Sequence, residues 1–302
     1  MEQTALETLS ACPLCRSAAL RTVLKVKDHS ISREWFTLQD CDACGFRFTN
    51  PRPETARLGA YYKGENYISH SNSKRSFTDR LYQLARSVAL RRKYAMIKAH
   101  QPHGKALDVG CGTGEFLAYL KSRGYLVTGV EPDLGARESA IANHSLEVLP
   151  GIDAIPALGQ FQVVTLWHVL EHLPEIRGTF KKLHALLSDQ GLLVIAVPDR
   201  GSWDAEHYGP DWAAYDVPRH LSHFRQQDVK GVLREHGFDL LQVRGMSMDA
   251  FYIAMLSERY RGASWGIALT KGILLGGWSN LLAFFMNRPN SSSLYVARKT
   301  PL

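Results

Sequence analysis

The chain has no apolar run long enough to predict a membrane span directly. Its most apolar stretch, 272–287, carries no charge, but it is shorter than the ~20 residues that a span requires and is interrupted by glycine, serine and asparagine. The first residues, Met1-Glu-Gln-Thr, are polar and have no apolar segment behind them, so we expect no signal peptide and a cytoplasmic location. Cysteine is also scarce: five occur among 302 residues, and four of them stand as two close pairs.

The composition is that of a globular protein with a modest basic excess. With 45% hydrophobic residues among 302, the chain can bury one full α/β core and carry a smaller module beside it. The formal net charge is +7, which permits an anionic partner without requiring one. The excess is concentrated in 74–98, where eight lysines and arginines face one acid, Asp79. Because these charges are confined to one predicted helix, nucleic acid is not the expected partner.

Four of the five cysteines form two C-x-x-C pairs, Cys12 with Cys15 and Cys41 with Cys44. This spacing is typical of a tetrahedral zinc site with four cysteine ligands, in which each pair is a knuckle and the residues between the pairs form a hairpin. Two disulfides are disfavoured in a reducing compartment, and a redox pair is not expected to occur twice. Four thiolates leave no open coordination position, so the ion would be structural and would stabilise an N-terminal zinc-ribbon module, 1–53.

A strand, a glycine-rich turn and a helix follow further along the chain. Residues 105–109 are typical of a short buried strand and 115–121 of the start of a helix, with glycine at alternate positions between them: Gly110, Gly112 and Gly114. Such glycines let the backbone approach a ligand closely, and the helix start offers free N–H groups to its negative end. A second strand, 126–130, ends at Glu131, which is placed to accept hydrogen bonds from a ribose diol. Cys111, inside the turn, is expected to be a packing residue and not a nucleophile.

The sequence Asp108-Val-Gly-Cys-Gly-Thr-Gly114, with Glu131-Pro132 behind it, resembles the first two motifs of the class I S-adenosylmethionine-dependent methyltransferases. Its spacing differs from the G-x-G-x-x-G of dinucleotide enzymes. The alternatives are an unrelated phosphate loop and a plain tight turn. The resemblance implies that Asp108 and the loop hold the methionine part of the cofactor and that Glu131 and Pro132 lie at its ribose. It also implies further cofactor contacts: Ile152 and Asp153 at the adenine, Trp167 and His168 near the sulfonium, and Tyr67 from a covering N-terminal segment.

The remaining sequence alternates strands and helices as a doubly wound sheet does. We expect an α/β fold with a Rossmann-like, seven-stranded methyltransferase sheet, in which the last strand, 293–299, lies antiparallel beside the sixth, 238–243. The predicted parts are the zinc ribbon (1–53), a connector with a cofactor-covering helix (54–101), the core (102–245 and 291–302) and an apolar helical insertion (246–290).

Residues 167–174 allow two interpretations. His168-Val-Leu-Glu171-His172 matches H-x-x-E-H, the inverted zinc-protease motif. That motif needs a continuous helix and a further acidic ligand, whereas His168 stands at a predicted strand end. The same residues resemble the L-x-H-V-L-E-H-L stretch of many small-molecule methyltransferases, whose first histidine lies at the floor of the active site. We therefore favour the methyltransferase interpretation.

The segment 198–227 is too polar and irregular for a sheet strand or a long helix, and a loop of this length in a compact domain is usually functional. It follows the fifth predicted strand, so it should overhang the ligand crevice. Its stretch from Tyr215 to Phe224 resembles a signature of the same family. Histidine suits proton abstraction near neutral pH, so His220 is the predicted base. Its alternates or orienting partners are His168, His223 and Asp216.

Two sequence features are absent, and each absence disfavours one class of methyl acceptor. No Asp/Asn-Pro-Pro-Tyr/Phe follows the fourth predicted strand, as in amino-group methylases of adenine, and no cysteine is expected in the crevice for attack on a pyrimidine carbon. Oxygen is the favoured acceptor atom and an activated carbon the second. The order of ribbon and catalytic domain is similar to bacterial methyltransferases of secondary metabolism, sugar and surface-glycan assembly, which implies a small-molecule, sugar or lipid-linked acceptor. A ribosomal-RNA methyltransferase and a non-catalytic scaffold of the same fold are the alternatives.

The insertion 246–290 is unusually long and apolar. It carries apolar residues at helical spacing: Leu274, Trp278, Leu281, Leu282 and Phe285. The pattern indicates a helix packed on the core or on a second subunit of a homodimer. The alternatives are a transmembrane helix and a helix that faces the substrate or contacts a membrane surface through 264–287, which would make the protein membrane-associated.

Overall fold

A computed structural model describes residues 6–62 and 77–301, without the side chains of 77–85. Its N-terminal strands precede a short 3-10 segment, Thr55–Tyr62, and are β1 (Leu6–Glu7), β2 (Leu20–Lys27), β3 (Trp35–Cys41), β4 (Arg47–Thr49) and β5 (Arg52–Pro53). The later strands are β6 (Lys105–Val109), β7 (Leu126–Val130), β8 (Glu147–Leu149), β9 (Phe161–Trp167), β10 (Leu187–Pro198), β11 (Ser222–His223), β12 (Phe238–Gly245) and β13 (Ser292–Lys299). The α-helices are α1 (Phe77–His100), α2 (Glu115–Lys121), α3 (Leu134–His144), α4 (Ile176–Leu186), α5 (Trp203–Tyr208), α6 (Gln226–Glu235), α7 (Ser247–Tyr260) and α8 (Trp265–Phe285).

The central sheet has seven strands in the order β12-β13-β10-β9-β6-β7-β8. Its β6 to β10 strands pair in parallel, and β13 is antiparallel to both of its neighbours. The prediction of a seven-stranded sheet with an antiparallel last strand is therefore confirmed. In β10, residues 192–197 are at most 1% exposed. Both faces of the sheet are covered here, and for that reason the run is purely apolar instead of alternating. The parallel strands end at one edge, where Gly110, Glu131 and His168 follow β6, β7 and β9.

The N-terminal module contains a second, four-stranded sheet in the order β11-β4-β3-β2. Its edge strand β11 comes from the segment predicted to be irregular, and it pairs Ser222 with Phe48 and His223 with Arg47. The Thr49 amide donates to the carbonyl of Leu221 (3.0 Å). The 198–227 segment is therefore irregular only in part. Its residues 222–223 form a strand, because β4 of the N-terminal module provides hydrogen-bond partners for their backbone.

A buried ion-pair network also joins these two parts of the chain. Arg219 is fully buried, and its Nη2 lies 2.9 Å from Asp28 of the N-terminal module and 2.6 Å from Asp216. The same guanidinium donates to the carbonyl of Tyr61 (3.1 Å). A buried guanidinium with two carboxylates is neutralised and hydrogen-bonded, as burial of charge requires.

The insertion forms a helical hairpin of α7 and α8 between β12 and β13. The face of α8 that packs on α7 is made of small residues, and the buried residues of the helix are Ala268, Gly272, Gly276 and Ser279. A Cβ added to Gly272 would lie 2.7 Å from the Cβ of Met255, and one on Gly276 would lie 2.8 Å from the Cα of Phe251. These glycines therefore let the two helices approach closely. The larger apolar residues of the predicted pattern face outward, with Leu274 and Phe285 at 66% and 76% exposed.

Helix α8 is longer than the uncharged run that predicts it. It spans 21 residues, and among the described residues it is the one helix that meets the length and hydropathy of a membrane span, with 22% of its most apolar window buried. The helix begins at Trp265, so about two turns, which end at Lys271, precede the uncharged run.

Candidate active site

The turn after β6 has the conformation that only glycine adopts easily. Gly110, Gly112 and Gly114 have φ of 71°, 55° and 84°, and L side chains rarely adopt positive φ. A Cβ on Gly110 would lie 2.4 Å from Val169, and one on Gly114 would lie 2.6 Å from Leu146. At Gly112 a Cβ would meet no atom within 4 Å. The backbone of Gly112 therefore faces open space, where a ligand can approach it.

Glu131 lies directly beside this turn. Its Oε2 accepts from the Gly112 amide (2.9 Å) and its Oε1 from the Asp133 amide (2.9 Å). The carboxylate is 9% exposed, and burial raises its pKa. Each oxygen keeps a second lone pair, so the carboxylate can still accept from a diol. Pro132, which follows it, is exposed.

Asp108 ends β6 beneath the same turn. It is 3% exposed and accepts a hydrogen bond from the Thr165 hydroxyl. Burial raises the pKa of Asp108 to about 7, and the charge of Lys93 opposes that rise. Lys93, from α1, lies with its Nζ 4.0 Å from the ring centroid of Trp167. A positively charged ligand group placed here would favour ionised Asp108. Lys93 was not predicted, because nothing in the sequence of α1 distinguishes it from its basic neighbours.

Cys111 contributes only its backbone to the turn. Its side chain is 8% exposed and packs in an apolar cluster with Leu117, Ala140, Leu146 and Val148. Burial raises the pKa of the Cys111 thiol to about 12, so the thiol is neutral at physiological pH and unsuited to nucleophilic attack.

Ile152 and Asp153 form a 3-10 turn after β8, at the same sheet edge. Ile152 is half-buried against the core. The Asp153 side chain is 79% exposed and pairs with Lys182 at 2.6 Å. The predicted adenine contact of both residues stays a prediction, and Tyr67 lies outside the described residues.

His168 stands where β9 ends, with a strained φ of 56°. Its Nδ1 lies 3.5 Å from Glu171 and its Nε2 3.2 Å from Asp249. Burial lowers the pKa of His168, but the two carboxylates outweigh burial and raise it to about 9. Both nitrogens face carboxylates, which favours the protonated form of His168. Its role as an alternate base or an orienting partner stays a prediction. Asp249 comes from α7, and the sequence gives no sign of it because its position depends on how the insertion packs.

Three other side chains converge beside His168. The ligand atoms of Glu171, His172 and His220 lie within 4.8 Å of one another. Nδ1 of His220 lies 2.9 Å from the carbonyl of Ala214, and Nδ1 of His172 lies 3.0 Å from that of Arg219. The carbonyl at Nδ1 of His220 only accepts, so that ring carries its proton on Nδ1 and exposes the lone pair of Nε2. Nδ1 of His172 also lies 2.9 Å from the Tyr62 hydroxyl, which can donate or accept.

The side chains of the other two predicted catalytic residues, Asp216 and His223, bond to groups outside this cluster. Asp216 makes a bidentate pair with Arg219 (2.9 and 2.6 Å), which holds its pKa below the usual value although burial opposes this. His223 is 3% exposed in β11, with its Nε2 3.1 Å from the Thr49 hydroxyl, and burial lowers its pKa well below the usual value. Both residues are placed to support the loop that carries His220.

The four paired cysteines meet at one point of the N-terminal module. The Sγ atoms of Cys12 and Cys44 are 3.8 Å apart, and those of Cys15 and Cys41 are 3.5 Å apart. A tetrahedral ion with Zn–S bonds of about 2.3 Å places its sulfurs about 3.8 Å apart. The cluster therefore fits a structural zinc ion held by all four thiolates.

Comparison with known proteins assigns the chain to a family. Residues 79–243 match the family model of a methyltransferase domain. Ubiquinone biosynthesis O-methyltransferase from Pseudomonas aeruginosa is 28% identical over 161 residues, which cover 48% of this chain and 68% of that one. The 1,6-didemethyltoxoflavin-N1-methyltransferase of Burkholderia thailandensis, solved with bound S-adenosylhomocysteine, has a similar fold, with a TM-score of 0.51, 16% identity and coverage of 91% of this chain and 100% of that one. The glycine turn, Asp108 and Glu131 thus stand in a chain that belongs to the methyltransferase-domain family and is an S-adenosylmethionine-dependent methyltransferase.

Proposed function

We propose that the protein methylates a hydroxyl oxygen of a small-molecule, sugar or lipid-linked biosynthetic intermediate, and that Nε2 of His220 accepts the hydroxyl proton. The observation that carries the proposal is the position of His220: its Nδ1–H is held by the carbonyl of Ala214 (2.9 Å), and one of its ring nitrogens lies within 4.8 Å of ligand atoms of Glu171 and His172. The carbonyl fixes the tautomer that a general base needs. The name of the Pseudomonas aeruginosa relative, an O-methyltransferase, also supports oxygen over carbon.

In the proposed reaction, different residues bind the cofactor, accept the proton and orient the groups around the acceptor. Bound S-adenosylmethionine supplies an electrophilic methyl carbon, which passes from sulfur to the acceptor oxygen as that oxygen loses its proton. The turn from Gly110 to Gly114 and Glu131 hold the cofactor beside the end of β6. His220 takes the proton, and the nearby Glu171 carboxylate stabilises the imidazolium that forms. His168, fixed between Glu171 and Asp249, orients Glu171.

His220→Asn should lower methyl transfer to an acceptor by about 10²- to 10⁴-fold, the usual contribution of a general base. Acceptors are found by incubating purified protein with isotope-labelled cofactor and a panel of hydroxylated metabolites, and the products show whether oxygen or carbon is methylated. Binding of S-adenosylhomocysteine should be unchanged, because the hydrogen bond of His220 goes to Ala214 and not to the glycine turn. His207→Asn, an exposed histidine, is the matched control. Full activity of His220→Asn would exclude this base.

We propose further that the outer face of α8 rests on a membrane surface and that the acceptor reaches the site from there. The apolar residues of α8 and its C-terminal end that are at least half-exposed are Trp265, Ile267, Leu269, Ile273, Leu274, Trp278, Leu281, Phe284, Phe285 and Met286. Such a patch is larger than single scattered apolar residues and is typical of interaction surfaces. The first turn of α7, the partner of α8, provides Asp249 next to His168, so the hairpin joins the patch to the site.

Flotation with vesicles of bacterial lipid extract tests this surface. The wild-type protein should float with the vesicles, and Phe284→Glu combined with Leu274→Glu should abolish flotation, because charge opposes insertion of the face. Leu158→Glu, which alters an exposed leucine outside the hairpin (71% exposed), should float like the wild type. A stable homodimer in light scattering, with no flotation, would show that a second copy covers the patch and would contradict the proposal.

A further inference from the structure

Glu171 is a buried carboxylate that no described residue meets in good hydrogen-bond geometry. The residue is 1% exposed, and within 6–62 and 77–301 neither of its side-chain oxygens has a hydrogen-bond partner. Its nearest cation is His168, whose Nδ1 lies 3.5 Å away outside hydrogen-bond geometry. The cation of His168 does not complete the hydrogen bonds of this carboxylate, and unsatisfied buried oxygens cost free energy, so an ion or donor beyond the described side chains is expected at this point.

The two histidines beside Glu171 do not supply the missing donor. Nδ1 of His220 donates to the carbonyl of Ala214 (2.9 Å). Nδ1 of His172 lies 3.0 Å from the carbonyl of Arg219 and 2.9 Å from the Tyr62 hydroxyl, and both of these oxygens can accept its proton. With the proton on Nδ1, their Nε2 atoms are acceptors, like the carboxylate. The rings meet edge to face, with centroids 4.5 Å apart. The cluster thus gathers a carboxylate and two imidazoles, with one possible ligand atom of each within 4.8 Å of the others.

Lone pairs on such ligand atoms are what a metal ion requires. Histidines that ligate a metal through one nitrogen usually donate the other N–H to a carbonyl or carboxylate, and both histidines here are placed to do so. The three ligand atoms lie within 4.8 Å of one another, whereas ligands about 2.1 Å from one ion lie at most about 4.2 Å apart. A contraction of less than about 1 Å would therefore complete the site.

We propose that Glu171, His172 and His220 bind one divalent transition-metal ion in a two-histidine, one-carboxylate site. Nitrogen and oxygen ligands of this type suit ions such as Mn²⁺, Fe²⁺ and Zn²⁺, and three protein ligands leave open positions. The site is distinct from the four-thiolate cluster of the N-terminal module, in which all positions are filled. Because Glu171 keeps one oxygen toward His168, its other oxygen is available to the ion.

The consequence for catalysis rests on the proposed function. A hydroxyl oxygen of the acceptor bound at an open position would lose its proton more easily, because a bound cation lowers the pKa of an oxygen ligand. The proton would then leave to water, and the oxygen would keep the electron pair that forms the bond to the methyl carbon. In the ion-loaded protein His220 is a ligand, and in the ion-free protein it is the base.

Titration of the zinc-loaded protein with Mn²⁺ tests the site without any acceptor. The decrease of the six-line electron paramagnetic resonance signal of free Mn²⁺ should report about one bound ion per chain, since Mn²⁺ disfavours thiolates. Glu171→Gln and, separately, His172→Asn should weaken this binding by about 100-fold or more. Glu147→Gln, an exposed carboxylate, should bind like the wild type. Absence of Mn²⁺ binding by the wild type, or wild-type affinity in both site variants, would overturn the proposal.

Two controls show whether lost Mn²⁺ binding is caused by unfolding and whether the metal site exists independently of methyl transfer. Retained binding of S-adenosylhomocysteine shows that each variant is folded, because the glycine turn does not use the cluster. In wild-type protein loaded with Co²⁺, the thiolate site should give sulfur-to-metal charge-transfer absorption, and the second site should add only weak visible bands. Cobalt bound at the thiolates alone would contradict a second site. If Mn²⁺ binds but no hydroxylated acceptor is methylated, the metal site stands and the proposed function fails.

Discussion

Arg219→Ala is expected to lower the free energy of unfolding by about 3–5 kcal/mol, the cost of removing one partner from a buried ion pair. Arg219 is fully buried between Asp28 and Asp216, with nitrogen–oxygen distances of 2.9 and 2.6 Å. Without it two carboxylates stay together with no cation between them, and the link between the N-terminal module and the loop that carries His220 is lost. Urea unfolding followed by circular dichroism gives the difference.

Arg21→Ala is the matched control for that experiment. Arg21 also pairs with an aspartate, Asp42, at 3.1 Å, but the two side chains are 62% and 51% exposed. Exposed pairs contribute at most about 1 kcal/mol. If Arg219→Ala destabilises the protein no more than Arg21→Ala does, the buried network does not join the two parts of the chain.

Removal of zinc should unfold the β2–β3–β4 sheet and release β11 with it. Structural zinc contributes about 10–16 kcal/mol of apparent binding free energy in zinc-finger peptides, and a small module without the ion is usually unfolded. Because β11 pairs with β4, amides of both strands should lose protection in hydrogen exchange. The amides of β6, β9 and β10 should stay protected, since they belong to the central sheet.

Two variants distinguish a cysteine of the four-cysteine cluster from the cysteine outside it: Cys41→Ser and Cys111→Ser. Cys41→Ser removes a thiolate of the four-cysteine cluster, so zinc content and β11 protection should both fall. Cys111 lies outside the cluster, and Cys111→Ser should keep about one zinc per chain. Unchanged protection of β11 in protein shown to contain no zinc would contradict the coupling between ion and loop.

The sequence predicts those parts of the fold in which a local pattern specifies the outcome. Apolar runs such as 192–197 specify buried strands, the glycine spacing from Gly110 to Gly114 specifies the turn, and the C-x-x-C pairs specify the cysteine cluster. The seven-stranded sheet then follows from the alternation of strands and helices. Each of these inferences needs only residues that are close in the chain.

What depends on contacts between distant segments could not be predicted. The pairing of Ser222 with Phe48 joins residues 174 positions apart, and neither segment has a sequence pattern that indicates which strand it will pair with. For the same reason Asp249 and Lys93 were missed. The sequence identifies the stretch from Tyr215 to Phe224 as one motif, but its residues have different partners. Asp216 and His223 support the loop, while His220 lies beside Glu171. The direction of each side chain is set by the tertiary fold and not by the motif.

The most direct test of the account is calorimetric titration of the zinc-loaded protein with S-adenosylhomocysteine, beside Glu131→Ala. The account predicts binding that the substitution weakens by about 2 kcal/mol, or about 30-fold, the loss expected for hydrogen bonds to a charged group. Glu147→Ala, at an exposed carboxylate of β8, should bind like the wild type. Equal affinity of Glu131→Ala and wild type, or no binding by a folded and zinc-loaded protein, would contradict the cofactor site at the glycine turn.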